Sequence, residues 1–216
     1  MINMNNNFNN KDISGWFFER LYVYSNKCRI LFLGWYYKLY IKTKGVKYGA
    51  NLLLNGRPLV RRAQGSNITL GYNVTLNSAK NSVTVGLSGP CTLVTHRKGA
   101  EITVGDNSGA SGLVLVAASK ISIGNNVLIG SGCTIVDNDF HNADPKKRND
   151  TEYSSRPVTI EDNVFIGFNC FILKGVTIGE NSIIGANSTV INSIPKNSIA
   201  IGNPCKVVII KNWDSK

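Results

Sequence analysis

An aliphatic residue recurs every six positions through the last third of this chain: Ile160, Ile166, Ile172, Ile178, Ile184 and Val190. A second register of small or β-branched residues sits four positions later, at Val164, Cys170, Val176, Ser182, Ser188 and Ile194. Period six is neither the 3.6 of a helix nor a sustained alternation of two. It fits a coil of three short flat faces, each pointing one aliphatic residue inward. Gly and Asn fill the corners because they tolerate positive φ. Three hexads make one turn, and turns stack as parallel strands, since no single turn buries its own inner face.

The pattern extends backwards through Ile123, Ile129 and Ile135, with Val127 and Cys133 in the second register. Earlier still, a β-x-β-Gly phrase recurs at Ile68–Gly71, Val83–Gly86, Ile102–Gly105 and Ile121–Gly124. The last three glycines are 19 apart, one turn plus an inserted residue. The expected organisation is a disordered tail over 1–11, a helical segment over 12–47, a parallel β-helix over 48–208 and a C-terminal tail over 209–216. The fold class is all-β with an N-terminal helical segment.

Residues 12–44 are rich in aromatics with Lys and Arg interleaved. They read as one helix or two, with Gly34 as the candidate break if there are two. Two readings stand open. The segment is an amphipathic cap over the open end of the β-helix, or an interfacial membrane helix with Trp16, Phe17, Trp35 and Tyr36 at headgroup level. The longest apolar stretch, Ile30 to Tyr37, is too short to span a bilayer. The opening MINMNNNFNN lacks the order of a signal peptide.

The net charge of +11 suits an anionic partner: a phosphate-bearing cofactor, a membrane surface or nucleic acid. Nucleic acid rests on charge alone and is not expected. The five cysteines form no CxxC pair and no zinc spacing, and Cys133 and Cys170 fall on core positions, so no metal and no thiol nucleophile is expected.

The six-residue register fails between Ile135 and Ile160. The intervening segment is polar, charged and Pro-bearing, so a loop over 136–157 leaves the coil. Long loops on rigid scaffolds commonly carry function. His141 stands near its start, beside Asp137 and Asp139. Imidazole titrates near neutrality and can take a proton from a hydroxyl. The other histidine, His96, lies in the basic turn Thr95-His-Arg-Lys98 and reads as surface.

Residues 141–208 resemble the hexapeptide-repeat O-acetyltransferases, especially the maltose and galactoside type. The phrases are His141…Asp144-Pro145…Arg148-Asn149…Glu152-Tyr153…Pro157-Val-Thr-Ile160, Asp162-Asn-Val-Phe-Ile-Gly167, Gly175-Val-Thr-Ile-Gly179, Ile184-Gly-Ala186 and Gly202-Asn-Pro-Cys-Lys206. Asp137-Asn-Asp-Phe-His141 looks more like the branch that acetylates capsular or lipopolysaccharide sugars. The resemblance implies a left-handed coil, a homotrimer with acetyl-CoA in clefts between neighbouring β-helices, and a cytoplasmic enzyme, peripheral at the inner membrane face if 12–44 binds lipid.

The resemblance further implies His141 as general base, an oxyanion held by backbone amides near Gly167, and Phe165, Gly167, Phe168, Gly185, Ala186 and Lys206 around the cofactor. The acceptor sugar falls to Asp137, Asp139, Arg148 and Tyr153. Phe165 also reads as ordinary packing, and Lys206 as a solvated charge. The stretch Gly109 to Ala118 lacks the Asn and Asp with which the galactoside enzymes hold their sugar, which weighs against a simple galactoside or maltose.

Three rivals remain. N-acylation of an amino-sugar nucleotide keeps the fold. A β-helix carbonic anhydrase needs three His, and this chain has two. A non-catalytic binding β-helix needs a regular Thr ladder, which the mixed outward positions do not supply.

Overall fold

In the computed structural model, which describes residues 12–80 and 82–210, three sheets of parallel strands wind into the left-handed coil expected above. Helix α1 (Ile13–Thr43) precedes them. The first turn holds β1 (Lys47–Tyr48), β2 (Leu53–Asn55) and β3 (Leu59–Arg62). The second holds β4 (Asn67–Leu70), β5 (Thr75–Asn77) and β6 (Thr92–Thr95). The third holds β7 (Glu101–Val104), β8 (Gly109–Ser111) and β9 (Val114–Ala117). The fourth holds β10 (Lys120–Ile123), β11 (Leu128–Ile129) and β12 (Thr134–Val136).

After the loop come β13 (Val158–Ile160), β14 (Phe165–Ile166) and β15 (Phe171–Ile172), then β16 (Thr177–Ile178), β17 (Ile183–Ile184) and β18 (Thr189–Val190). Strand β19 (Ser198–Gly202) adds to the second sheet, and β20 (Cys205–Ile210) turns back antiparallel beside it.

The inward register is as the repeat demands. Ile166, Ile172, Ile178, Ile184 and Val190 are fully buried, and Ile160 is 1% exposed. Each such side chain contributes roughly 1.5–3 kcal/mol by leaving water. Ser182 and Ser188 replace aliphatics in the second register and are buried too, their hydroxyls donating to Pro195 O at 2.8 Å and Gly185 O at 2.6 Å. The corners hold Asn at φ near +57°, including Asn73, Asn107, Asn163 and Asn187. Their side-chain amides stack from turn to turn, as in Asn73 to Asn107 at 2.8 Å and Asn169 to Asn187 at 2.8 Å.

One expectation is corrected. Val83–Gly86 is not a strand of the coil. It lies on an excursion between β5 and β6, docked by Ser131 Oγ donating to Gly86 O at 3.0 Å. An alternating phrase of four residues fits a loop edge as well as a coil face. Of the two readings left open for residues 12–44, one helix or two, the structure has one: α1 runs unbroken through Gly34, an interior glycine costing a helix only about 1 kcal/mol. The tail expected over 1–11 lies outside the described residues.

Candidate active site

The loop after β12 is tied down at its neck by residues from three turns. Asp137 is fully buried, and its carboxylate accepts hydrogen bonds from Ala118 N and Ser119 N, each at 2.7 Å. Asn138 donates through Nδ2 to Val116 O at 3.3 Å and bridges to Ser155 across the loop. Arg156 N returns to Asp137 O at 2.8 Å. Asp139 pairs with Lys174 of the next turn.

The chain then makes a three-residue turn. His141 N donates to Asp139 O at 2.7 Å, two residues back, and the central Phe140 has φ of +62°. This γ-turn is rare and strained for a side-chain-bearing residue. Asn138 holds it by accepting from Phe140 N at 3.0 Å, and the Phe140 ring meets His96 edge-on, 6.0 Å between centroids.

His141 is exposed, with Nδ1 3.2 Å from the carbonyl oxygen of Arg148. A carbonyl only accepts, so the ring hydrogen belongs on Nδ1 and the lone pair on Nε2. That tautomer equips Nε2 to remove a proton. The ring borders a cleft of about 620 Å³ lined by His96, Arg97, Lys98, Phe140, Arg148 and residues 149–153.

Arg97 is the cleft's organiser. Its guanidinium donates to Thr151 O at 2.9 Å, lies 3.7 Å from the Glu152 carboxylate and stacks 4.1 Å from the Tyr153 ring centroid. The sequence reading left His96 and Arg97 as a surface turn. Register would have found them: Val94 pairs with Val116 and Val116 with Val136, which places His96 in the column of the loop's start. The excursion between β5 and β6 hides that count.

The structure thus brings His141, Arg148 and Tyr153 together and corrects the reading of Asp137. Asp137 is fully buried and serves two backbone amides inside the neck, so its carboxylate is not free for a sugar, whereas Asp139 is exposed and pairs with Lys174 through one oxygen.

A second feature lies on the following turns. Phe165 and Phe168 are 43% and 45% exposed, and Phe165 pairs in register with Leu128 and Ile183 to make an outward apolar strip. The Gly167 amide donates to Ile184 O at 2.7 Å, so it is committed to the coil and cannot hold an oxyanion. One corner position later the situation changes. At another edge of the coil, the equivalent amides of Tyr72, Asp106 and Asn125 are capped by side chains of the next turn, each at 2.8 Å. Phe168 N and Ala186 N have no such acceptor among the described residues. Ala186 lies one turn beyond Phe168 and close to Gly167, where an added Cβ would stand 2.6 Å from Ala186 N. Gly185 N is taken by Ala200 O at 2.9 Å, and Lys206 is an exposed side chain on β20.

Four thiols are buried and one, Cys28, is exposed. Burial pushes Cys91 and Cys205 up. Sharing a hydrogen bond with Cys170, with burial added, pushes Cys133 up. The same hydrogen bond, from Cys133, lowers Cys170 to about 7, and all four side chains are buried. Among the described residues no group of three or more His, Cys, Asp or Glu could hold a metal ion.

The six-residue repeat of the coil is matched by two family models. A family model described as bacterial transferase hexapeptide (six repeats) matches residues 157–192, and one described as hexapeptide repeat of succinyl-transferase matches residues 120–136. The chain is 44% identical over 111 residues to a putative acetyltransferase of Saccharomyces cerevisiae, covering 51% of this chain and 56% of that protein. It is 41% identical over 111 residues to galactoside O-acetyltransferase of Escherichia coli, covering 51% and 54%.

A solved galactoside acetyltransferase in complex with coenzyme A is similar at 38% identity, TM-score 0.50, over 55% of this chain and 60% of that one. AntD, an N-acyltransferase from Bacillus cereus solved with dTDP and 3-hydroxybutyryl-CoA, covers 82% of this chain and 89% of its own at TM-score 0.63 and 21% identity, a likeness of fold alone. Over these segments the chain is similar to the hexapeptide-repeat O-acetyltransferases. It spans about half the length of the curated relatives it matches.

Proposed function

We propose that this protein is an acetyl-CoA-dependent O-acetyltransferase acting on a sugar hydroxyl, with a surface polysaccharide such as capsule or lipopolysaccharide as the source of that sugar. The observation that carries the reading is the His141 tautomer. With Nδ1–H held by Arg148 O, Nε2 is left as a base at the edge of a cleft.

His141 Nε2 takes the proton of the acceptor hydroxyl as its oxygen attacks the thioester carbonyl. The Phe168 amide, open to the outside of the coil, donates to the tetrahedral oxyanion. Collapse breaks the C–S bond, and the imidazolium returns its proton to the departing thiolate. The open amides of Phe168 and Ala186, one turn apart, suit the repeated amide groups of a pantetheine arm, with Phe165 alongside. Lys206 meets the cofactor phosphates. Arg148 and Tyr153 line the acceptor side. The exposed strip of Leu128 and Phe165 supports a homotrimer with one site in each cleft between subunits. The enzyme works in the cytoplasm, at the inner face of the membrane.

The test is acetyl transfer from labelled acetyl-CoA to a panel of hydroxyl glycans, with amino-sugar nucleotides as the comparison. His141→Ala is expected to lower the rate by about 10²–10⁴. Survival within tenfold, or transfer confined to amino groups, overturns the reading.

A further inference from the structure

The transfer chemistry leaves the N-terminal part of the molecule unused. Only the last turns of α1 reach the β-helix, through Ile41 in the core and Tyr37 and Tyr40 against it. Before them the apolar side chains stand in solvent: Phe17 is 53% exposed, Leu31 75%, Phe32 73% and Trp35 65%. Trp16, Leu33 and Tyr36 are exposed as well, so the apolar surface runs around the helix. A helix that is apolar on most sides requires an apolar environment. Yet among the described residues no helix is long and apolar enough to cross a membrane.

The root of the helix is basic. Lys42, Lys44, Lys47, Arg57 and Arg61 are exposed there, with Lys44 and Arg57 flanking the Tyr40 ring at 5.9 Å and 5.3 Å. The imbalance is extreme in sequence. Between residues 20 and 100 there are 13 Lys and Arg and no Asp or Glu, which leaves 24 − 13 = 11 basic and all 13 acidic residues elsewhere. Residues 20–100 carry +13, and the rest of the chain carries −2.

We propose that α1 and its basic root form a docking surface for an anionic bilayer. The aromatic side chains enter the boundary between headgroups and acyl chains, where Trp and Tyr partition. Lys42, Lys44, Lys47, Arg57 and Arg61 lie on the lipid phosphates. Charge decides the occupant. A second copy would bring one wholly basic root against another, whereas an anionic headgroup layer neutralises it. Docked this way, the first turn rests at the surface. The loop bearing His141 leaves the coil three turns further along, about 15 Å away at the strand spacing. That is within reach of a glycan carried on a lipid.

The experiment is co-sedimentation of the full chain with vesicles of phosphatidylcholine alone and of equal parts phosphatidylcholine and phosphatidylglycerol, at low and high salt. The anionic vesicles are expected to bind, with affinity falling as salt rises. Each basic residue removed should weaken binding about fivefold, so the triple variant K42E/R57E/R61E should lose about a hundredfold or more. F17S/W35S should weaken binding at every salt concentration. The melting temperature confirms that both variants fold. Absence of binding to the anionic vesicles overturns the proposal, as does equal binding by the triple variant. So does a soluble multimer that F17S/W35S dissociates while vesicle binding stays unchanged. None of these outcomes depends on acetyl transfer.

Discussion

The guanidinium of Arg97 lies 4.1 Å from the centroid of the Tyr153 ring, joining the second turn of the coil to a loop that leaves after the fourth. With its bond to Thr151 O, this contact clamps the outer loop over the cleft. A cation–π contact and a charged hydrogen bond together contribute about 2–3 kcal/mol.

Arg97→Ala should therefore raise the open population of the loop by one to two orders of magnitude. Trypsin cleavage at Lys146, Lys147 or Arg148 should accelerate in proportion, since cleavage follows the open fraction when opening is fast. The global melting temperature should stay within a few degrees. An unchanged digestion rate would show that the clamp contributes nothing.

Asp137 makes the opposite prediction, a global one. Its buried carboxylate is the acceptor for Ala118 N and Ser119 N. Asp137→Ala leaves one buried and one partly buried donor unmatched, the buried one at about 1–3 kcal/mol, and so should destabilise by about 2–4 kcal/mol in denaturant unfolding. Asp137→Asn retains one acceptor and should lose roughly half as much.

Phe140 holds a strained turn directly before His141. Glycine adopts positive φ without strain, so Phe140→Gly should leave stability within about 1 kcal/mol. The freed turn no longer aims the imidazole, and kcat should fall about tenfold or more with KM for acetyl-CoA little changed. An undiminished kcat would show that the turn does not position His141.

Burial raises Cys91 from its ordinary 9.0. The sign follows from linkage. Below pH 9 the thiol is protonated in both states and adds nothing. Above pH 9 the unfolded chain loses the proton and the folded chain keeps it, so stability falls by about 1.4 kcal/mol per pH unit for each such thiol. Cys91→Ala should flatten the decline in unfolding free energy above pH 9. At neutral pH a thiol reagent should modify Cys28 rapidly and the four buried cysteines only after denaturation.

Much of the coil was legible in the sequence because its information is local and periodic. One buried aliphatic per six residues, with Asn or Gly at the corners, specifies the faces without any long-range knowledge, and His141 was found because the period fails around it. The cleft was not legible in the same way. His96 and Arg97 join His141 only through the parallel register of β6, β9 and β12, and that register is hidden by an excursion whose Val83–Gly86 mimics a coil face. The direction of a side chain was also out of reach. Asp137 and Asp139 are two residues apart, yet one points into the neck and the other to Lys174. Alternating polar residues in a loop carry no period to say which side faces in. The six-residue repeat by itself determined the β-helix. Only the stacking of its turns decided which amides stay open, that the Asp137 carboxylate is buried in the neck, and which nitrogen of His141 faces a carbonyl.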